Sequence, residues 1–245
     1  MPNYRHAATR DLLLGSRYRD RFRAMRPNNL LAYWPLNEKA GTTGANSVLD
    51  WSGNARHAAP TNVVFGVNGI MDSTSPQFNG TTALINIYGA SLSAAFNPSE
   101  GTVFAWAKVA NAGVWTDATQ RYIIALRADG SNRVEIQRTG TDNQLSYIYQ
   151  ATAAEIVNIS MSTVEWFSVA LTWSFVGDTI NAYLNGVSVG TSGTLGVWAG
   201  TLGATTTNIG ALSAALRFWS GNLCNVGIWN AALNSGEIKK LSRLN

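Results

Sequence analysis

Beyond about residue 28 the chain alternates apolar and polar positions with a period of two. In TVFAWAKV, Val103, Ala105, Ala107 and Val109 fall on one face, and Phe104 and Trp106 on the other. In EWFSVALTWS, Phe167, Val169, Leu171 and Trp173 point one way, as a strand packed on a core requires. Asn185-Gly186 interrupts two alternating runs in TINAYLNGVSVGT; both residues tolerate positive φ, so the pair predicts a two-residue hairpin turn. RYIIALRADGSNRVEIQR repeats the arrangement with a longer turn at Asp129-Gly130. LLAYWPL, ALINIYG, LSYIYQ, TNIGAL and NVGIWN predict further short strands. Short strands separated by regular turns predict an all-β, two-sheet antiparallel sandwich. The exception near the end is LNSGEIKKL, where Asn234 is a good N-cap and Glu237, three residues on, completes a capping box. Lys239 and Lys240 face the negative end of this short C-terminal helix.

Composition narrows the reading. The 245 residues are 46% hydrophobic and only 13% charged, with 9 Trp, 8 Tyr and 8 Phe, enough for one sizeable core. Cys224 is the only cysteine, so neither an intrachain disulfide nor a cysteine zinc site is available. No apolar run approaches the ~20 residues of a membrane span. The apolar stretch Leu12–Leu14 is too short for a signal peptide, so synthesis in the cytoplasm without one is expected.

The charge is uneven. Residues 1–26 hold seven arginines against two aspartates, while the rest of the chain carries eleven basic and twelve acidic residues. The cationic character therefore belongs to the front segment, and a broad nucleic-acid-binding surface on the main domain is disfavoured. As a helix, this segment places Leu14, Tyr18, Phe22 and Met25 on one stripe, with Arg17 and Arg21 on one flank and Arg19 and Arg23 on the other. As an extended arm, RYRDRFR alternates arginine with Tyr18, Asp20 and Phe22. Packing on its own domain, docking on a partner or a second copy, and binding lipid or nucleic acid are all compatible with this pattern. The expected division is a basic arm over 1–27 and a β domain over 28–245. Arg17, Tyr18, Arg19, Arg21, Phe22 and Arg23 are the expected docking residues.

Several segments in order resemble the laminin G-like jelly rolls of the concanavalin A-like lectin/glucanase superfamily. They are LLAYWPLNEKAGTT, LDWSGNARHAAP, PQFNGTTALINI, the strands TVFAWAKV, EWFSVALTW and INAYLNGVSVG, and FWSGNLCNVGIWNAALNSGEIKKL. The resemblance covers roughly residues 28–243 and implies a two-sheet antiparallel jelly roll, leaving the arm outside. It also implies a candidate calcium site near the Asp-x-Ser-Gly-Asn loop. Asp50 is present there, but the closing-strand position is Asn225 and Asn79 stands where the family has an aspartate. Each Asn keeps an oxygen and loses a charge, which weakens a Ca²⁺ site.

The fold hosts lectins, adhesion modules and glycanases, so the chemistry must be read from residues. A glycanase needs two carboxylates flanking the bond, whereas Glu135, Glu155 and Glu165 each stand alone and read as solvated surface acids. His57 reads as a turn residue and Cys224 as a small buried hydrophobe. Sugar binding would use aromatic rings: Trp115 and Trp198 lie in loop-like contexts, and Tyr147 and Tyr149 share one face of a strand. These four are the candidate carbohydrate contacts. The expectation is a non-catalytic display or adhesion module, anchored through residues 1–26 to copies of itself or to a larger assembly. Similar architectures occur among tailed-phage virion proteins, as capsid decorations or tail adhesins, so display on a virion surface is expected. The alternative is a polysaccharide-degrading enzyme of the same fold.

Overall fold

A computed structural model describes residues 17–70 and 73–244. Fifteen strands in this part of the chain form two antiparallel sheets facing one another. The first holds β13 (Val187–Ser192), β12 (Thr179–Leu184), β11 (Phe167–Ser174), β6 (Glu100–Val109), β15 (Ser220–Trp229), β4 (Thr74–Asn79) and β3 (Val64–Asn68), in that order, with β1 (Leu30–Trp34) also paired to β15. The second runs β10 (Ala153–Ser160), β9 (Gln144–Ala151), β8 (Asn132–Arg138), β7 (Arg121–Arg127), β14 (Thr207–Ile209), β5 (Leu84–Asn86) and β2 (Ala59–Thr61). The sandwich and the hairpins agree with the alternation in the sequence. Asn185 and Gly186 have φ of 51° and 78°, the left-handed pair that a two-residue turn between β12 and β13 requires.

β15 serves two neighbours in succession. Ser220–Asn222 pair with β4, and Val226–Trp229 pair with β1. The change occurs at a bulge between Cys224 and Gly227, where Asn225 takes a φ of 50°. Asparagine tolerates this conformation because its short side chain finds local partners. Its N–H donates to the Pro35 carbonyl at 3.1 Å, and its Oδ1 accepts from the Tyr33 hydroxyl at 2.7 Å.

Residues 17–24 are helical (α1), a short α2 spans Ala90–Ala95, and α3 spans Ser235–Leu241. Two of these helices, α1 and α3, meet over the outer face of the first sheet. The α3 capping box forms as the sequence predicts, with Asn234 and Glu237 each accepting from the other's backbone N–H. Tyr18 and Phe22 on α1, and Met25 just after it, are buried and belong to the same core as the strands. Phe22 stacks on Tyr33 with ring centroids 3.9 Å apart and contacts Phe104 and Trp229. The Trp106 indole donates to the Tyr18 hydroxyl (2.9 Å), which in turn donates to the Leu241 carbonyl at the end of α3 (2.7 Å). Arg26 pairs with Glu237 at 2.7 Å, and the Trp229 indole donates to the Met25 carbonyl at 2.8 Å.

Two expectations are corrected here. The boundary at residue 28 is not a packing boundary, because residues 18–26 complete the core of the β domain. Tyr18 and Phe22 are not docking residues: both are buried against their own sheet, and burial is what makes an amphipathic stripe helical here. Arg21 is likewise engaged within the chain, donating to the Arg243 carbonyl and lying over the Tyr18 ring. Arg17 and Arg23 are exposed, while Arg19 lies 5.2 Å over the Trp51 ring. The part of the predicted arm before residue 17, including Leu14, lies outside the described residues.

Candidate functional site

The four aromatic candidates separate once the strands are placed. Trp115 is buried in a short helical turn (Ala112–Trp115), with its indole donating to the Thr163 carbonyl at 2.7 Å. Arg138 clamps the same turn from beneath, donating to the Trp115 carbonyl at 2.6 Å. Tyr147 points between the sheets and donates to the Tyr183 carbonyl at 3.0 Å. Neither ring can take a sugar on its face, so both are corrected to core residues. The shared face of Tyr147 and Tyr149 is real, but it is the inward face of β9.

Tyr149 and Trp198 do come together, at one rim of the sandwich. Their ring centroids are 6.2 Å apart, Phe96 lies 5.7 Å from Trp198, and Trp173 lies 6.3 Å from Tyr149. Trp198 is half-buried over this cluster, whereas Tyr149 is buried with its hydroxyl donating to the Pro98 carbonyl at 2.9 Å. Burial pushes the Tyr149 hydroxyl up to about 12, so it remains a proton donor. Pro98, Ser99, Tyr149, Phe175, Gly196, Val197 and Trp198 line a cleft of about 100 Å³. Phe175, Val176 and Val197 are exposed on the segments around it, Val176 almost completely.

The rim is held by polar groups that bridge three loops. The Asp178 carboxylate accepts from the N–H groups of Thr194 and Leu195 at 2.9 and 2.7 Å, tying the loop after β13 to the β11–β12 turn. Asn132 Oδ1 accepts from the Ala199 N–H at 2.8 Å, and the Phe175 N–H donates to the Ser99 carbonyl at 2.7 Å. At Gly196 an added Cβ would lie 1.8 Å from the Ala151 carbonyl oxygen, so only glycine allows the loop to approach β9 this closely. A partly exposed ring on a tethered loop is positioned before any ligand arrives, which lowers the ordering cost of binding.

A second constellation lies on the outer face of the second sheet. Glu135 is fully buried there, hydrogen-bonded to Arg127, with its other oxygen 3.6 Å from Arg133 Nη1. Arg127 also donates to the Tyr122 hydroxyl at 3.1 Å. Burial raises the Glu135 carboxyl above its ordinary range, against the lowering effect of Arg127. The reading of Glu135 as a solvated acid is therefore corrected. Register carries the clue: the hairpin at Asp129-Gly130 sets Arg127 opposite Arg133, and Glu135 opposite Ala125 on the same face. Glu135 pairs with Ile148 of β9 while Glu155 pairs with Tyr149, so the two acids occupy opposite faces of the sheet. Glu155 instead accepts from the Ser192 hydroxyl at 2.5 Å, and Glu165 is exposed.

The calcium candidates do not fit a shared ion. Both Asp50 oxygens are engaged, accepting from the N–H groups of Tyr33, Ser52 and Arg56 and from the Ser52 hydroxyl at 2.8–2.9 Å. Asn225 accepts from the other end of Tyr33, its hydroxyl. Asp50 thus staples the 50–56 loop to β1 with hydrogen bonds, and Asn225 forms the bulge in β15. Among the described residues no group of three or more His, Cys, Asp or Glu side chains could hold a metal ion.

Comparison with known proteins agrees with this architecture. A laminin G family profile, described as the concanavalin A-like lectin/glucanases superfamily, matches residues 79–239. Domain 4 of AbnA, a GH43 extracellular arabinanase from Geobacillus stearothermophilus solved with arabinotriose, superposes with a TM-score of 0.66 at 14% identity, covering 88% of this chain and 98% of that domain. The binding domain of Paraclostridial Mosquitocidal Protein 1 gives 0.62 at 17% identity, covering 88% of this chain and 52% of that one. The binding domain of botulinum neurotoxin serotype D gives 0.61 at 14% identity, covering 88% and 52%. The chain thus spans about half the length of these toxin binding domains. No curated protein matches the sequence. No described helix is long and apolar enough to cross a membrane.

Proposed function

Because this chain belongs to the concanavalin A-like lectin/glucanase superfamily, we propose that it is a non-catalytic carbohydrate-binding module that contacts glycans through the Trp198 rim. The observation that carries this reading is the half-exposed Trp198 ring, seated on Tyr149 and Phe96 and held by a loop pinned at Asp178 and Asn132. A pyranose or furanose ring presents C–H groups that pack on such a face, while Ser99 and the rim backbone supply polar partners. The arabinotriose bound to the AbnA domain makes arabino-oligosaccharides a natural first probe.

The reading as a polysaccharide-degrading enzyme requires two carboxylates about 5–9.5 Å apart on one side of a bond. Opposite-face placement of Glu135 and Glu155 supports binding over hydrolysis. The setting we propose is a virion surface reached from the cytoplasm, compatible with a single buried cysteine, with the exposed Arg17 available to the anchoring protein.

A glycan array followed by calorimetry on the wild type and on Trp198→Ala tests the proposal. Binding to at least one glycan class, weakened tenfold or more by Trp198→Ala with an unchanged melting temperature, is expected. A blank array, equal binding by the variant, or glycan cleavage abolished by Glu135→Gln would overturn it.

A further inference from the structure

A separate cleft of about 310 Å³ opens between α1 and the loop that follows β1, lined by Arg23, Leu49, Asp50, Trp51, Gly53 and His57. We infer that it binds a carboxylated sugar residue of the hexuronate class, with Trp51 as the stacking face, Arg23 as the carboxylate partner and His57 as a hydroxyl partner. It shares no residue with the Trp198 rim, and its size falls at the lower end of the ~300–1,000 Å³ typical of ligand clefts.

The donors are unspent. Arg26, Arg121, Arg127, Arg133 and Arg138 each face a carboxylate. Arg23 makes no ion pair or hydrogen bond among the described residues, yet it borders the cleft in a domain that carries few charges. His57 Nδ1 accepts from the Asp50 N–H at 3.0 Å, which leaves the hydrogen of the neutral ring on Nε2. That nitrogen likewise has no partner among the described residues. Asp50 also lines the cleft, but its carboxylate is held by four donors that offset its charge toward an incoming anion.

The apolar half is equally particular. The Trp51 ring is 37% exposed, a large share for an indole in this protein, and Arg19 lies over it at 5.2 Å. Leu49 is exposed beside it. At Gly53, with φ of 97°, an added Cβ would meet nothing within 4 Å, so that wall is open. The loop itself is rigid: Asn54 Nδ2 donates to the Leu30 and Leu31 carbonyls at 2.9 Å. A uronate matches all of this, with C–H groups for the indole, a planar carboxylate for a guanidinium fork and hydroxyls for the imidazole. A neutral sugar offers the Arg23 guanidinium hydroxyl acceptors but no charge to pair with. An acidic peptide offers the carboxylate without the flat ring.

Calorimetry on the full chain with galacturonate and glucuronate oligosaccharides, the matched neutral oligosaccharides and an Asp/Glu-rich peptide tests the assignment. The uronates should bind at least tenfold more tightly than the neutral sugars, and more weakly as salt rises. Arg23→Gln and Trp51→Ala should each cost at least tenfold with the melting temperature unchanged, and should cost the same on a Trp198→Ala background. Equal affinity for uronate and neutral sugar, tighter binding of the peptide, or indifference to Arg23→Gln would overturn it. The rim proposal is read out by Trp198→Ala alone, so either reading can fail without the other.

Discussion

At the residue scale, Glu135 shows how far a side chain's surroundings can depart from its position in the sequence. Its strand position points away from the sandwich interior, yet Arg127, Arg133 and Tyr122 enclose it. Its carboxyl is raised above the ordinary glutamate value of 4.5, chiefly by burial. A raised acid means the folded protein holds the proton more tightly than the unfolded chain. Glu135 therefore lowers stability progressively as pH rises from 4.5 through its folded value. Glu135→Gln should flatten that part of the stability–pH curve and change stability at neutral pH by no more than about 1 kcal/mol. Glu135→Ala should cost about 3 kcal/mol, because it leaves a buried guanidinium without its partner. Urea unfolding of the three proteins between pH 4 and 8 measures both effects; a Gln variant that keeps the wild-type slope would remove Glu135 as its source.

At the scale of elements, β6 shows what was legible and what was not. Its alternation was clear, and so was the oddity that both faces carry large apolar residues, Val103 and Val109 on one side and Phe104 and Trp106 on the other. Such a strand needs a covering layer on its second face. The amphipathic stripe Tyr18–Phe22–Met25 was visible too, but nothing in one sequence says that these two features meet. That contact spans roughly eighty residues, and only the fold brings it about. Edge strands were similarly hard to see: β10 buries only Val157 and has no strong period. For the rim, loop context singled out both Trp198, which the fold leaves partly exposed, and Trp115, which it buries, because a Gly- and Ala-rich neighbourhood does not distinguish a ring tucked under a loop from one standing on it. The α1 contact can be tested from both sides. Phe22→Ala should destabilise by about 3–5 kcal/mol. Gly227→Ala should also destabilise, since its Cβ would lie 2.5 Å from the Phe22 ring. In combination the two losses should sum to less than their separate values, because removing the ring relieves the clash. Full additivity in thermal unfolding would place the two residues in separate environments.

At the scale of the whole molecule, α1, the two sheets and α3 form one cooperative body. Tyr18 joins Trp106 of β6 to Leu241 of α3 through a single hydroxyl, and Arg26 joins Glu237. A chain starting at Asn28 would expose Tyr33, Phe104, Trp106 and Trp229 together. It should melt well below the full chain and self-associate; an equal melting temperature and a monomeric mass in light scattering would refute this account of α1. The bulge at Asn225 has a consequence of a different kind. β15 is flanked by β6 on one side and by β4 and then β1 on the other, so residue 30 has no strand partner until residue 229 exists. As the polypeptide leaves the ribosome, β1 and the apolar stripe of α1 must wait for about two hundred further residues before the strand that closes the sheet is made. Until then this apolar surface lacks the strand that covers it, and exposed apolar surface of this kind favours aggregation, which makes β15 the late keystone of the fold.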